Sequence, residues 1–187
     1  SVMGIIITTL TNNDAISITK QIPHAESVTA YVKGAGTIHW QAQALDLNFN
    51  GVSASYIQTE DTEVADGRFF TEDEAKDLSR VIVLGSQVKD DLFGDQNALG
   101  QNVRLKKESF RVVGIMKPRG TAGFQNYDTE VFLPLATAQK LLLGIRHISF
   151  MRVKIDQEKY LDESAEQIKQ LLRARHNIRD AAEDDFS

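Results

Sequence analysis

The two ends of this 187-residue chain carry the same signature: a β-branched stretch, an amphipathic helix, then a second stretch with strand character. At the first end, Met3 to Thr9 is rich in Ile and Thr, residues that suit a pleated surface. Thr11-Asn12-Asn13-Asp14 offers a helix start, Ala15, Ile18 and Ile22 share one helical face, and Pro23 closes the segment. Ser27 to Lys33 alternates with Val28, Ala30 and Val32 on one side. Gly34-Ala35-Gly36 then reads as a turn and Ile38 to Phe49 as a further strand. At the other end, Ile148 to Ile155 alternates. A helix from about Glu158 to Arg175 then carries Leu161, Ala165, Ile168 and Leu172 on one stripe, and Asn177-Ile178 opens a final strand. Asp162 and Glu163 near its start and Arg173 and Arg175 near its end match the helix dipole.

Between these ends lies a β-rich block. Thr59 to Gly67 is an acidic loop, and Thr71-Glu72-Asp73-Glu74 fits a capping box. Val81 to Leu84 is a continuous apolar run typical of a buried strand, and Ser86 to Phe93 a short helix stopped by Gly94. Val103 to Leu105 and Phe110 to Ile115 pair around Lys107-Glu108, and Pro118 to Asp128 is expected as a mobile loop. Val131 to Leu133 is a strand, and Pro134 suits the first turn of a helix reaching Leu143. These blocks predict an α+β (mixed α/β) fold. One lobe is built from both ends, residues 1–50 and 145–187, with a β-rich lobe of residues 51–144 inserted between.

Composition narrows the function. There is no cysteine, so disulfides, thiolate metal sites and a cysteine nucleophile are excluded. The net charge of −5 argues against a general nucleic-acid binder. No run approaches the roughly 20 apolar residues of a membrane span, and no leader opens the chain. The polypeptide as given is expected to be soluble, or to be a soluble piece of a membrane protein.

The sequence holds few residues in catalytic constellations. His24, His39, His147 and His176 lack the spacing that aims two imidazoles at one ion. Ser53 and Ser55, in Gly51-Val52-Ser53-Ala54-Ser55, miss the second glycine of a nucleophile elbow. No phosphate-binding GxxxxGK[ST] sequence occurs, so ATP hydrolysis is expected elsewhere. The acidic groups Asp61/Glu63/Asp66, Glu72-Asp73-Glu74 and Glu183-Asp184-Asp185 lack the alternation of a calcium loop and read as solvated. No cofactor, no metal and no enzymatic activity are therefore expected. One local feature stands out. Val103 to Arg119 sets Arg104, Lys106, Lys107, Arg111, Lys117 and Arg119 against Glu108 alone. A solvated hairpin face explains much of this, and docking to an acidic partner or anionic headgroups is the alternative. Trp40, Arg104, Lys106, Lys107, Arg119 and Phe124 are the candidate partner contacts.

The order of signals in the middle block carries a resemblance. Ala65-Asp66-Gly67-Arg68-Phe69-Phe70-Thr71 is followed by Val81-Ile82-Val83-Leu84-Gly85 and Asp91-Leu92-Phe93-Gly94. Ala98-Leu99-Gly100-Gln101, Phe110-Arg111-Val112-Val113-Gly114-Ile115 and Val131-Phe132-Leu133-Pro134-Leu135 come next. Together with Ile22-Pro23, His176-Asn177-Ile178 and Asp184-Asp185-Phe186, these resemble the extracytoplasmic core domain of MacB-type, FtsX-like ABC-transporter permeases. The resemblance implies a porter-like lobe from both chain ends and a position between two transmembrane helices on the periplasmic or outer face of the bacterial cytoplasmic membrane. It also implies a cytoplasmic ATPase, an adaptor protein, and a dimer as the full-length permease. The function implied is export of antibiotics, peptides or similar substrates. Binding of lipoprotein or cell-wall hydrolase partners is the alternative. The isolated fragment is expected to be a monomer.

Overall fold

A computed structural model of the chain describes residues 2–6 and 10–176. The expected strand at Asn177-Ile178, the acidic group at 183–185 and residues 7–9 of the Met3–Thr9 stretch lie outside the described residues. In chain order the main elements are β1 (Val2–Ile6), α1 (Asn12–Gln21), β2 (Ala25–Trp40), β3 (Gln43–Val52), α2 (Tyr56–Thr59), β4 (Val64–Gly67) and α3 (Glu72–Lys76). They continue with β5 (Val81–Leu84), α4 (Ser86–Phe93), β6 (Asn102–Leu105), β7 (Glu108–Met116), β8 (Thr121–Ala122) and β9 (Gln125–Asn126). Last come β10 (Val131–Pro134), α5 (Leu135–Thr137) with a π-helical extension over Ala138–Leu143, β11 (Phe150–Ile155) and α6 (Leu161–Arg175).

One sheet connects everything. Its order is β1-β11-β2-β3-β10-β5-β7-β4, and β6 pairs with both β2 and β7. The second pairing closes a ring: β2, β3, β10, β5, β7, β6 and back to β2. Closure removes free strand edges, the main hazard of a β-rich unit. The ring is filled from alternate positions of its strands, including Ile38, Phe49, Leu84, Val103, Phe110 and Val131, each at most 1% exposed. These belong to one core with α1 and α6, whose Ile18, Ile168 and Leu172 cover the β1–β11–β2 portion. A second, smaller core lies on the outside of the ring, where Tyr56 of α2 and Phe69 and Phe70 before α3 cover Val52, Val81, Val83 and Phe132.

The strand β2 belongs to both parts. Its residues Ala25 to Tyr31 pair with β11, whereas Ile38 and His39 pair with β6. The boundary read between residues 50 and 51 falls inside β3, which lies in the ring along with the far half of β2.

The expected turn at Gly34-Ala35-Gly36 is not there. β2 runs straight through it, and the hairpin turns at Gln41-Ala42, with Gln41 at φ 52. Gly34 faces Phe49 directly across the ladder, and any Cβ on Gly34 would collide with the Phe49 ring. The absent side chain makes room for an aromatic one, which shields the bare backbone.

Other expectations hold closely. Val81–Leu84 and Ser86–Phe93 take the forms read from sequence, with Gly94 at φ 56 ending the helix. Both bonds of the Thr71–Glu74 capping box form. The Pro118 to Asp128 loop is organised as the β8–β9 hairpin rather than as irregular chain. In α6 the buried residues are Ser164, Ile168 and Leu172, so the stripe passes through Ser164 rather than Ala165.

Candidate interaction surfaces

Ser53 and Ser55 finish the sheet. Beyond Tyr31 the strand β3 no longer flanks β2, which would leave the backbone of Val28 and Ala30 without ladder partners on that side. Ser53 Oγ accepts from the Ala30 N–H at 3.0 Å, Ser53 N–H donates to the Ala30 carbonyl at 3.3 Å, and Ser55 Oγ donates to the Val28 carbonyl at 2.5 Å. A run of hydroxyls continues inward from Ser55 to Thr29 at 3.0 Å, and from Thr29 to Thr59 at 2.8 Å. The residues considered as a nucleophile motif thus satisfy backbone groups that would otherwise be costly to bury.

Glu60, just after α2, gathers two cations and a phenol from three separate parts of the chain. Its side chain is 7% exposed; Arg152 of β11 donates to it at 3.0 Å, the Tyr31 hydroxyl of β2 donates to it, and Arg119 approaches at 4.0 Å. Burial, with Glu60 adding to it, pushes the Tyr31 phenol far above its ordinary value. Arg119 also donates to the Tyr56 hydroxyl and lies over the Tyr127 ring at 3.8 Å. Arg119 is therefore an internal clamp, not the free surface cation expected from sequence: a guanidinium between aromatic rings with a carboxylate near it is already paired. A small cavity of about 20 Å³ lies beside this cluster, lined among others by Lys33, Asn50 and Gln125. That volume suits a single water.

Trp40 is also internal. At 7% exposed, it packs against Phe93 with ring centroids 4.1 Å apart and the planes tilted by 35°, closing the end of the ring with α4. Trp40, a candidate partner contact from sequence, is instead consumed by packing against α4.

Phe124 is the opposite case, fully exposed at the tip of the β8–β9 hairpin. Gly123 at φ 62 occupies the first central position of a two-residue turn, the place where a type II′ hairpin demands glycine. The hairpin's base is pinned: the backbone N–H groups of Arg119 and Gly120 donate to the Asp128 carboxylate at 2.7 and 2.8 Å. Gln125 donates to Glu130 at 3.0 Å, which Asn50 also reaches at 2.6 Å.

Arg104, Lys106 and Lys107 are all exposed on the β6–β7 hairpin. Lys106 and Lys107 form its turn, one residue earlier than expected, at φ 51 and 71. The Lys106 stem lies against Gly36, and its ammonium is 5.9 Å from the Phe49 ring centre. The remaining basic residues of the sequence cluster are divided: Lys117 pairs with Glu63, while Arg111 is exposed on β7.

Two further clusters escaped the sequence reading. Asp14, the N3 residue of α1, accepts from the Thr11 N–H at 3.0 Å, from Arg175 Nε at 2.6 Å and pairs with His176 at 3.1 Å. Burial alone would raise its carboxyl, but the bonds from Arg175, Thr11 and His176 hold it below the ordinary value. His24 stacks on Tyr160 at 3.6 Å and pairs with Asp156. Glu60 and Asp14 join residues distant in sequence, and single-chain patterning carries no signal for that. Among the described residues no group of three His, Cys, Asp or Glu is placed to hold a metal ion. An open groove of about 470 Å³ lies along the outer face of β2 and β3 near Thr37, Asp46 and Thr129.

A closed ring fused through one strand to a helix-covered sheet, with its polar and aromatic groups presented on walls and tips, defines an α+β domain that offers surfaces. The model of the MacB-like periplasmic core domain family matches residues 3–171, and the chain belongs to that family, the periplasmic domain of ABC-transporter permeases. It is 31% identical over 175 residues to the macrolide export ATP-binding/permease protein MacB of Neisseria gonorrhoeae, covering 93% of this chain and 27% of that protein. To MacB of Bdellovibrio bacteriovorus it is 27% identical over 166 residues, covering 89% of this chain and 26% of that protein. The chain thus spans about a quarter of the length of these relatives. In fold it is similar to the periplasmic region of MacB from Actinobacillus actinomycetemcomitans, with a TM-score of 0.84 at 23% identity over 100% of this chain and 86% of that one. It is equally similar to the extracellular domain of the ABC-type transporter YknZ from Gram-positive bacteria, with a TM-score of 0.84 at 18% identity over 100% of this chain and 98% of that one. No helix among the described residues is long and apolar enough to cross a membrane.

Proposed function

We propose that this domain is a non-catalytic transmission element. It would carry ATP-driven movement of its permease's transmembrane helices to an adaptor protein and so to export of antibiotics, peptides or similar substrates. ATP hydrolysis falls to a separate nucleotide-binding domain or subunit, the full-length permease works as a dimer, and the isolated chain is a monomer. The observation that carries the reading is the sharing of β2. The β1–β11–β2 part with α1 and α6 forms one lobe and the ring another, and a single covalent strand runs through both, cross-braced by Glu60. Such a body moves as a unit, which is what a lever requires. Phe124, Arg104, Lys106 and Lys107, all at the ring and its hairpins, are the proposed partner contacts.

The test uses the parent permease with spin labels on cysteines introduced at Glu163 of α6 and Ser109 of β7, both exposed. The 187 residues contain no cysteine, so any cysteine in the rest of the permease is first replaced. The distance between the two labels in one protomer should stay constant on adding ATP, while that between Ser109 labels of two protomers should change. A distance within one protomer that shifts with ATP, or inter-protomer distances indifferent to ATP, refutes the proposal.

A further inference from the structure

We propose that the outer wall of the ring at β2, β6 and β7 is a docking surface for an acidic segment of a partner protein, an inference that rests on the transmission reading. The register sets His39, Arg104 and Ser109 side by side across three strands, with Asn102 and Arg111 side by side in the neighbouring row. Directly opposed residues on antiparallel strands share a face. All five are exposed. Adjacent strands are about 4.8 Å apart and alternate residues about 7 Å apart, so these donors form a compact grid. Lys106 and Lys107 extend it at the hairpin turn.

Two observations separate this wall from an ordinary solvated face. First, Arg104, Lys106, Lys107 and Arg111 have no carboxylate partner among the described residues, although acids outnumber bases 26 to 21. Elsewhere Arg68 pairs with Glu74, Arg152 with Glu60 and Arg175 with Asp14. A solvated hairpin face tolerates cations, but gathering four of them without such partners is more than solvation asks for. Second, both turn residues are lysines at positive φ, where Asn-Gly would be far easier. Charge is kept at the tip at a cost in backbone conformation.

The charge of the wall selects the occupant. A long polyanion would meet the net negative charge of the remainder of the domain. A short carboxylate-rich protein segment meets only the grid.

The test titrates a fluorescein-labelled decaglutamate peptide with the 187-residue chain at low and physiological salt. The wild type should bind, more weakly as salt rises. Arg104→Gln/Arg111→Gln and Lys106→Asn/Lys107→Gly should each weaken binding about ten-fold. The control Lys140→Gln/Arg146→Gln, also exposed cations without a carboxylate partner, should change it less than about two-fold. The Lys106→Asn/Lys107→Gly chain carries better turn residues and should melt no lower than wild type, so loss of its binding is not a folding failure. Absence of wild-type binding, equal weakening in the control, or tighter Arg104-dependent binding to phosphatidylglycerol vesicles than to the peptide would each overturn the proposal. The assay contains no permease, so its failure is distinct from that of the spin-label test.

Discussion

Arg175 Nε donates to Asp14 Oδ1 at 2.6 Å, tying the end of α6 to the start of α1 across 161 positions of sequence. Asp14 is 2% exposed and caps its own helix with the same carboxylate. Asp14→Asn should cost about 2–4 kcal/mol at neutral pH, because it leaves Arg175 and His176 facing a neutral amide. The carboxyl is held below its ordinary value in the native chain, so the unfolded chain takes up the proton first. The stability it provides is complete above about pH 4 and is lost as pH falls through the lower native value. Urea melts at several pH values should therefore show the wild type and Asp14→Asn converging in acid. Parallel curves would contradict this.

Gly34 and Phe49 form a second dependent pair. Gly34→Ala should destabilise by about 1–3 kcal/mol, since the new methyl enters space held by the ring. Phe49→Ala should cost about 3–5 kcal/mol through the cavity it leaves. The double variant should be more stable than the sum of the two predicts by at least about 1 kcal/mol, because each change relieves the other. Additive thermal-denaturation values would show that the two sites are independent.

Glu60→Gln removes the anion shared by Arg152, Tyr31 and Arg119. A loss of about 3–5 kcal/mol is expected, with the largest chemical-shift changes at β11, α2 and the base of the β8–β9 hairpin. Changes confined to α2 would show that the three elements are not joined through this carboxylate.

Ser164→Ala should go the other way. The Ser164 hydroxyl is buried in α6 without a hydrogen-bond partner. Removing an unsatisfied polar group and raising helix propensity should together stabilise by about 1 kcal/mol, read as a higher melting temperature.

Phe124→Ser should leave the melting temperature within about 2 °C of wild type, since the ring packs against nothing. Export by the parent permease should nevertheless fall. Unchanged export would remove Phe124 from the proposed contacts.

The local elements were readable where local chemistry decides them. Ser86–Phe93 announces itself by periodicity and Gly94, and Thr71–Glu74 by the spacing of a hydroxyl and a carboxylate. The turn read at Gly34–Gly36 failed because glycine there answers to Phe49, fifteen residues away, a relation that composition does not encode. Ring closure rests on the Ile38–Leu105 and His39–Arg104 pairs and was likewise invisible. Of the candidate contacts, Trp40 and Arg119 were misplaced for one reason: an aromatic ring or a guanidinium looks the same in sequence whether its partner is solvent or a distant helix.

The closed ring also determines how copies of this chain can entangle. Strand exchange between molecules needs an open flank, and among the described residues the flanks of the large sheet are β1 and β4, at the two extremities of its order. β4 has four residues and an irregular register between Val64 and Asp66, a poor template for a stranger. Among the described residues the flank offered to a second molecule is therefore Val2–Ile6, and a charged residue in place of Gly4 would be the simplest guard there.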